Sequence, residues 1–554
     1  MKKILLLISL FLLHLSSCSD YLDRAPLDSP SSESFLSKKI EMDLAVNNAY
    51  RMLYFLGNNM PMPMFMDATT DIARVRGTYG ANVETVSLGN HSSNTSLFST
   101  IWTHYYRYIA RCNYIIQYVD RVIDATEEQK NLAQAQALFL RAMAYNELVI
   151  YFGDVPFITT YLSTVEEGMA GRTDKDIIIE AILEDLDEAI NILPSNWDGD
   201  NKGRITKWAA LALKARITLY HEKYSESAAS AKQVIDNAAT SGIALTDDMI
   251  SLFNYDGIRN SEVLLDIPFH SLVQFNATPL MTFSRNAGGW AIIQPAVSLI
   301  DSYECIDGLP IDKSPLFDQA HPFKNRDPRL SAYIIHDGTW FKNIRYETHP
   351  DSVLASRVVG GIETRINNQD VTNAFASHTS YLFRKYADAR DENVRESTIN
   401  FILIRYAEVL LTYAEAKLEQ GEIDSSLYES VNAVRRRAGL PEVSNLSTEE
   451  LRKLIRNERK VELAGEGLRL ADIRRWKIAE HVMPGYFPGR KRKAYWFSPG
   501  IPTIDDWGIA RYNNLQTVFE PLQTRLFDSN RDYLFPIPQN EIDVNGDLTQ
   551  NPGY

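Results

Sequence analysis

Four side chains have types and settings that suit binding of a flat, hydroxyl-rich ligand. Trp290 follows the turn residues 286–289, and Trp340 follows a second turn, so each ring is expected to point outward. Asp71 and Arg76 lie in a loop near 67–82. Sugar rings stack on aromatic rings, while their hydroxyls bond to carboxylates and guanidinium groups. We therefore predict a saccharide contact at these four residues, with core packing as the alternative for each tryptophan.

The sequence signatures of common catalytic and metal sites are missing. There is no Gly-x-Ser-x-Gly, no His-Glu-x-x-His and no Gly-x-x-x-x-Gly-Lys. Asp67 and Asp71 could pair as acid and base, but carboxylates four residues apart are commonplace. Asp198 and Asp200 resemble the opening of a calcium loop, yet Lys202 holds the fifth position and no Glu closes the loop. We predict a protein that is not an enzyme and that uses no cofactor or metal, with a hydrolase whose site has no recognised signature as the disfavoured alternative.

The N-terminal residues predict lipid attachment at Cys18. Two lysines precede a largely apolar run from Ile4 to Leu13, and Leu-Ser-Ser-Cys follows. This order is typical of a bacterial lipoprotein signal, here residues 1–17, which is cleaved before an acylated cysteine. The run is shorter than the roughly 20 residues that span a bilayer, so we predict an export segment and not a membrane helix. An ordinary secretory signal with an incidental Cys18 is the alternative.

Charge and composition narrow the class of partner. The formal net charge is −14, and loss of two lysines with the signal would make it −16. Such an acidic chain disfavours nucleic acid or anionic lipid as the main partner. Aromatic residues make up 11% of the chain, which indicates a surface that stacks on a ligand. We interpret the basic run 490–493 as an exposed loop, with contact to a partner protein or lipid headgroups as the alternative.

Several cysteines and tryptophans are predicted to be buried. Cys112 falls on an apolar helical face and is interpreted as a buried thiol, although a disulfide to Cys305 stays open. Trp102 and Trp208 also lie on helical faces and are assigned to the core.

Helical periodicity organises much of the chain. In 131–152 the apolar positions alternate steps of three and four, and 175–193 repeats the pattern before Pro194 ends it. The segments 205–221 and 224–238 form the clearest pair, with Ala where the backbones must approach closely. Two short helices joined tightly are typical of a tetratricopeptide-type hairpin. A second pair is predicted at 401–420 and 425–438.

The remaining segments predict a tether, an irregular region and a loop-rich tail. Residues 18–36 are rich in Ser, Pro and Asp and suit a lipidated tether. A single body over 37–554 then carries helical repeats at about 37–240 and 401–479. Between them lies an irregular section, about 241–400, and a loop-rich tail follows at 480–554. Long irregular stretches on a rigid scaffold commonly carry binding groups. The predicted fold is mainly α, with helical hairpins supporting a loop-rich ligand-binding face.

Short motifs along nearly the whole chain resemble those of the SusD/RagB family, the surface glycan-binding lipoproteins of Bacteroidota. The matching segments are 138–142 with 151–156, 288–290 with 301–303, 327–330, 405–416, 434–441, 458–476, 534–542 and 550–554. This resemblance implies four tetratricopeptide-like hairpins, a variable ligand-binding face and no catalysis. It implies that Asp71, Arg76, Trp290 and Trp340 lie where relatives place sugar contacts.

The resemblance also implies a membrane location and a partner. We expect an outer-membrane, surface-exposed lipoprotein that captures oligosaccharides and delivers them to a TonB-dependent transporter of the SusC type. Capture of peptides or another non-glycan nutrient by the same fold is the alternative. The acidic residues Asp20 and Asp23 resemble a surface-export signal. Charged motif residues on predicted helices are interpreted as buried ion pairs; they are Arg405, Glu408, Arg435, Glu458 and Arg469.

Overall fold

A computed structural model describes residues 35–57 and 59–554. The predicted signal, Cys18 and most of the predicted tether lie outside the described residues. The α-helices are α1 (Lys39–Tyr50), α2 (Met62–Asp67), α3 (Gly77–Ser87), α4 (Ser96–Tyr118), α5 (Glu127–Phe152), α6 (Lys175–Ile192), α7 (Lys207–Tyr220), α8 (Tyr224–Asn237), α9 (Thr278–Thr282), α10 (Val297–Ser302), α11 (Pro328–Tyr333), α12 (Gln369–Thr372), α13 (Tyr406–Glu419), α14 (Ser425–Arg437), α15 (Thr448–Glu462), α16 (Arg469–Arg475), α17 (Ala479–Val482), α18 (Leu515–Val518) and α19 (Gln539–Val544).

Short strands connect these helices and form small sheets. They are β1 (Leu56–Gly57), β2 (Met60–Pro61), β3 (Ala73–Val75), β4 (Val263–Ile267), β5 (Ile293–Pro295), β6 (Ile334–Ile335), β7 (Trp340–Phe341), β8 (Ile344–Arg345), β9 (Leu354–Val359), β10 (Ile362–Asn367), β11 (Leu382–Phe383), β12 (Phe401–Arg405), β13 (Gly485–Lys491), β14 (Thr503–Ile504), β15 (Ala510–Arg511) and β16 (Phe519–Arg525). One antiparallel sheet has the strand order β10-β9-β8-β7, and the other strands form two-stranded pairs.

The long helices pack in sequence into one layer. Each of α4 to α8 contacts the next, and α8 contacts α13, which in turn packs on α14 and α15. Helices from before and after the irregular section therefore belong to the same layer. The prediction of a mainly α fold built on tetratricopeptide-like hairpins is confirmed, and α7 with α8 forms the predicted hairpin.

Local sequence explains where these helices begin and end. The Thr126 hydroxyl accepts a hydrogen bond from the backbone N–H of Gln129, and the Gln129 side-chain oxygen accepts one from the backbone N–H of Thr126, so a capping box starts α5. Gly153, with φ of 73°, ends it. The Asp174 side chain caps the start of α6 by accepting a hydrogen bond from a backbone N–H.

Residues 401–405 depart from the predicted helix. They form β12, which pairs antiparallel with β4, and α13 starts only at Tyr406. The run Phe-Ile-Leu-Ile is rich in aromatic and β-branched types that favour a pleated, buried surface. The periodicity predicted α13 correctly. It did not predict that the first five residues of the segment pair with a distant strand instead.

The basic run at 490–493 also differs from the prediction. Arg490 and Lys491 are half-buried at the end of β13, which pairs with β16. The interpretation of the whole run as an exposed loop was therefore wrong for these two residues.

A buried ion cluster joins the irregular section to the helices. Its members are Glu262, Glu304, Asp327, Arg329, Lys385, Arg405, Arg435, Arg437, Glu458, Glu462 and Glu466. Arg329, from α11, donates to Glu458 at 2.7 Å and to Glu462 at 3.1 Å, both on α15. Lys385 donates to Glu466 at 2.6 Å. Two segments of the irregular section are thus held to α15 and the residues after it.

Arg405 lies at the centre of this cluster. Its guanidinium donates to Glu262 at 2.8 Å, to Glu462 at 2.7 Å and to Glu466 at 2.7 Å. Burial alone would raise the pKa of Glu462, but Arg437, Arg405 and Arg329 hold it well below its ordinary value. Paired charges of this kind are tolerated inside a protein because each has its partners.

The other predicted ion pairs are also confirmed. Glu408 pairs with Arg216 at 2.6 Å, Arg435 with Glu458 at 2.5 Å, and Arg469 with Asp71 at 2.8 Å. The predicted core positions of Trp102 and Trp208 are confirmed as well, since both side chains are buried. Cys112 and Cys305 are buried free thiols, and burial raises the pKa of each.

Candidate ligand-binding site

Pairing of β3 with β5 brings two distant segments of the predicted site together. Ala73 lies opposite Pro295 and Val75 opposite Ile293 in an antiparallel register. The backbone N–H of Arg76 continues the ladder by donating to the Ile292 carbonyl at 2.9 Å. The loop that carries Arg76 and the turn that carries Trp290 therefore share one edge of the irregular section.

Trp290 lies half-buried directly behind a tight turn. Its backbone N–H donates to the Leu280 carbonyl at 2.7 Å, which fixes the chain here. The Arg395 guanidinium carbon lies 5.0 Å from the centre of the indole ring. A Cβ at the preceding Gly289 would lie 2.4 Å from the Phe283 carbonyl oxygen, so only glycine fits this close approach.

Trp340 opens β7 and is 44% exposed. The neighbouring Phe341 ring packs edge-on against Phe283, with 4.8 Å between the ring centres. Phe283 is also the residue that Gly289 approaches. The hairpin with Trp340 and the turn before Trp290 therefore contact a common residue and lie on the same part of the molecule.

Arg76 reaches a different segment of the irregular section. Its guanidinium donates to the Phe375 carbonyl at 2.6 Å, and its central carbon lies 4.8 Å from the centre of the Phe375 ring. The Phe375 side chain is 57% exposed. An arginine beside an exposed aromatic ring is an arrangement suited to a polar, flat ligand.

Asp71 is part of the scaffold in this structure. It is buried, accepts two hydrogen bonds from Arg469 at 2.8 and 2.9 Å, and lies 3.6 Å from Lys460. Burial by itself raises the pKa of Asp71, and the charges of Arg469 and Lys460 bring it below the ordinary value. The carboxylate is therefore engaged in buried ion pairs, and a direct ligand contact by Asp71 stays a prediction.

A surface pocket of about 250 Å³ lies beside these segments. Its lining combines rings, hydroxyls and charges; the side chains that supply them are His321, Phe323, Lys324, Asp337, Thr348, Thr379, Ser380, Tyr381, Lys491, Trp496, Phe497 and Phe519. Apolar faces with a few placed polar groups are typical of small-ligand sites. We call this cavity the lateral pocket.

The wall of the lateral pocket includes segments connected to two of the predicted residues. Asp337 and Thr348 line it and stand at the two ends of the segment that carries Trp340. The Thr348 backbone N–H donates to Asp337 at 2.6 Å and closes that segment. On another side, the loop from Phe375, which Arg76 contacts, leads to Tyr381 in the pocket wall. Neither Trp340 nor Arg76 lines the pocket, but each is connected to its wall through a neighbouring segment of the chain.

Most of the pocket lining was not predicted from the sequence. Trp496 and Phe497 come from the tail, where they follow the basic run and precede Ser-Pro-Gly. Aromatic residues next to turn residues were the available signal. Phe323 and Tyr381 gave no such signal, because only the folded chain brings them to β13 and its neighbours.

The described residues contain neither a metal-binding cluster nor a membrane-spanning helix. Within 35–57 and 59–554, no group of three or more His, Cys, Asp or Glu side chains has a metal-binding arrangement. Over the same residues, none of the helices combines the length and apolar character needed to cross a bilayer.

Comparisons with protein-family models cover most of the chain. Residues 20–219 match a family described as "Starch-binding associating with outer membrane". Residues 271–554, just over half of the chain, match the family described as the SusD family. The chain belongs to the SusD family. The resemblance predicted from the motifs is confirmed.

Individual SusD-family proteins resemble the chain over most of their length. SusD-like protein P2 of Formosa agariphila is 27% identical, and the alignment covers 100% of both chains. The starch-binding protein SusD of Bacteroides thetaiotaomicron is 23% identical over 79% of this chain and 75% of the relative. A solved SusD-like carbohydrate-binding protein of Bacteroides fragilis superposes with a TM-score of 0.80 at 27% identity, covering 93% of this chain and 100% of that structure.

Proposed function

We propose that this SusD-family protein captures an oligosaccharide at the lateral pocket and its rim and delivers it to a SusC-like, TonB-dependent transporter. The observation that carries the proposal is the pocket itself, where aromatic rings and hydroxyl groups meet between the segments of Arg76 and Trp340. Relatives described as starch-binding and carbohydrate-binding support a saccharide ligand. The protein acts by binding and not by catalysis.

A screen of purified protein against oligosaccharide and peptide libraries tests the ligand class. Each library is incubated with the protein, retained ligands are measured, and the supernatant is analysed for products. Retention of an oligosaccharide without product formation is the expected result. Retention of peptides alone would contradict the saccharide proposal, and product formation would contradict the non-catalytic one.

We also propose that the protein is anchored in the outer membrane through lipid on Cys18. The order of residues before Cys18 and the family description "associating with outer membrane" support this location. Cys18→Ala removes the thiol that would be acylated, so the variant should leave the membrane fraction. Sedimentation of the variant with outer membranes after a salt wash would contradict lipid anchoring.

Delivery to a transporter requires a complex between the two proteins. A capture protein held by a lipid has no route of its own across the membrane. Extraction in mild detergent should therefore recover the protein together with a larger outer-membrane barrel. Recovery as a free monomer in several detergents would contradict the partnership.

A further inference from the structure

The lateral pocket carries positive charge in a protein that is acidic overall. Lys324 and Lys491 line the pocket, whereas Asp337 is the carboxylate in its wall. His321 also lines the pocket. Its Nδ1 lies 2.8 Å from Asp318, a residue outside the lining. The whole chain has a formal net charge of −14. The pocket lining, with two lysines and one aspartate, has the opposite sign.

Lys491 is the more enclosed of the two lysines. It ends β13, is half-buried, and its ammonium donates to the Trp496 carbonyl at 3.2 Å. The same nitrogen lies 5.3 Å from the centre of the Trp496 ring. Neither Lys491 nor Lys324 forms an ion pair with a carboxylate in the described part of the chain.

The carboxylates that act on Lys491 at longer range have other hydrogen-bond donors. Asp337 accepts from the backbone and side chain of Thr348, at 2.6 and 3.2 Å. Asp301 accepts from the Tyr512 hydroxyl at 3.0 Å. Burial lowers the pKa of Lys491, and these two carboxylates act in the opposite direction. A half-buried ammonium that binds no anion directly can still bind an anionic group of a ligand.

We propose that the lateral pocket accepts an acidic sugar residue, with the anionic group on Lys491 and the sugar ring beside Phe497. This inference rests on the proposed oligosaccharide function and adds the chemical class of the ligand. Phe497 is 60% exposed and lines the pocket, so it offers an apolar ring to the sugar. Lys324, exposed at the rim, provides a second positive charge. A carboxylate and a sulfate group share the required chemistry.

Matched probe pairs separate charge recognition from general sugar binding. The first pair is an oligogalacturonide and its methyl ester, which differ in the carboxylate charge. The second pair is a sulfated galactan oligosaccharide and its desulfated form. Affinity is measured by calorimetry at low and high salt. The expected result is tighter binding of the acidic member of at least one pair, with a preference that decreases as salt increases.

Substitutions at Lys491 assign this preference to the pocket. Lys491→Met keeps most of the side-chain length and removes the charge, so it should weaken binding of the acidic probe roughly ten-fold more than binding of the neutral probe. Lys491→Arg should restore the preference. Lys202→Met is the matched control, because Lys202 is an exposed lysine in the turn before α7, outside the pocket. Melting temperatures of all variants report any loss of folding.

The outcomes distinguish the inference from the function on which it rests. Equal binding of acidic and neutral probes, or equal weakening of both by Lys491→Met, would overturn the acidic-sugar inference and leave oligosaccharide capture standing. Failure of all saccharides in the library screen to bind would overturn both. Acid preference that Lys491→Met abolishes and Lys491→Arg restores would support both.

Discussion

Arg405 shows how a single residue can connect the binding region to the scaffold. It is buried and bonded to Glu262, Glu462 and Glu466, so removing it would leave three carboxylates without their shared partner. We expect Arg405→Met to lower the free energy of unfolding by about 3–5 kcal/mol, as measured by chemical denaturation.

A surface arginine provides the control for this prediction. Arg436 is exposed and pairs with Glu429 and Glu442 on the surface. Solvent screens such pairs, so Arg436→Met should change stability little. Equal effects of Arg405→Met and Arg436→Met would show that the buried ion cluster does not hold the fold together.

Buried histidines predict a loss of stability in mild acid. His104 donates from its Nε2 to the Met52 carbonyl oxygen at 2.9 Å, and burial lowers the pKa of His104 to about 4. An unfolded histidine titrates near 6.5, so below that pH the unfolded chain binds a proton that the folded chain does not. Stability is therefore fully present above about pH 6.5 and decreases as the pH falls towards 4.

The magnitude can be measured with a variant that cannot titrate. For His104 alone, the free energy of unfolding should fall by about 2 kcal/mol between about pH 7 and pH 5. His104→Gln should reduce the pH dependence of urea denaturation by that amount, while His91 and His221, whose pKa values are also lowered to about 4 by burial, maintain the rest. The same pH dependence in wild type and His104→Gln would contradict the assignment.

At the residue scale, sequence patterns predicted buried pairs better than ligand contacts. Charged motif residues in otherwise apolar segments, such as Arg405 and Arg469, need internal partners, and the structure supplies them. Asp71 was not predicted as the partner of Arg469, because the two residues are distant in the chain and meet only through tertiary packing. Outward exposure was predicted correctly for Trp340, whereas Trp290 is half-buried.

The turn before Trp290 is an element whose shape depends on one glycine. A Cβ at Gly289 would lie 2.4 Å from the Phe283 carbonyl oxygen, which is backbone and cannot rotate away. We expect Gly289→Ala to displace the turn, cost about 1–3 kcal/mol and weaken ligand binding. Calorimetric melting and affinity measurements on the same sample check both effects.

Gly546→Ala is the matched control for this element. A Cβ at Gly546 would have no heavy atom within 4 Å, and its backbone does not require a positive φ. It should therefore melt and bind as wild type does. A Gly289→Ala variant that also matched wild type would show that the close approach does not position Trp290.

At the element scale, helices were predictable and short strands were not. Period and stop signals predicted α7 and α8 to within a few residues. The start of α13 was missed because Phe401–Arg405 pair with β4, about 140 residues earlier in the chain. The strand position of Lys491 likewise depends on β16, and no local pattern specifies such a partner.

At the scale of the whole molecule, a helical layer supports an irregular region that carries the candidate site. The two parts are joined by the buried ion cluster and by the pairing of Asp71 with Arg469. Packing of α8 on α13 makes the helices on both sides of the irregular section one support. The helical scaffold could be predicted because its sequence is periodic. The pocket lining could not, because its residues come from several distant loops.

The central claim is that the irregular region binds an oligosaccharide through exposed aromatic residues beside the lateral pocket. The most direct test is the affinity of the purified protein for the oligosaccharide selected by the library screen, compared between wild type and Trp340→Ala. Trp507→Ala is the control, because Trp507 is 39% exposed but stacks on His481 and lies outside the segment between the pocket residues Asp337 and Thr348 that carries Trp340. We predict a roughly two- to ten-fold higher Kd for Trp340→Ala, wild-type affinity for Trp507→Ala and unchanged melting temperatures for both. Wild-type affinity for Trp340→Ala, or equal losses in the two variants, would contradict the claim.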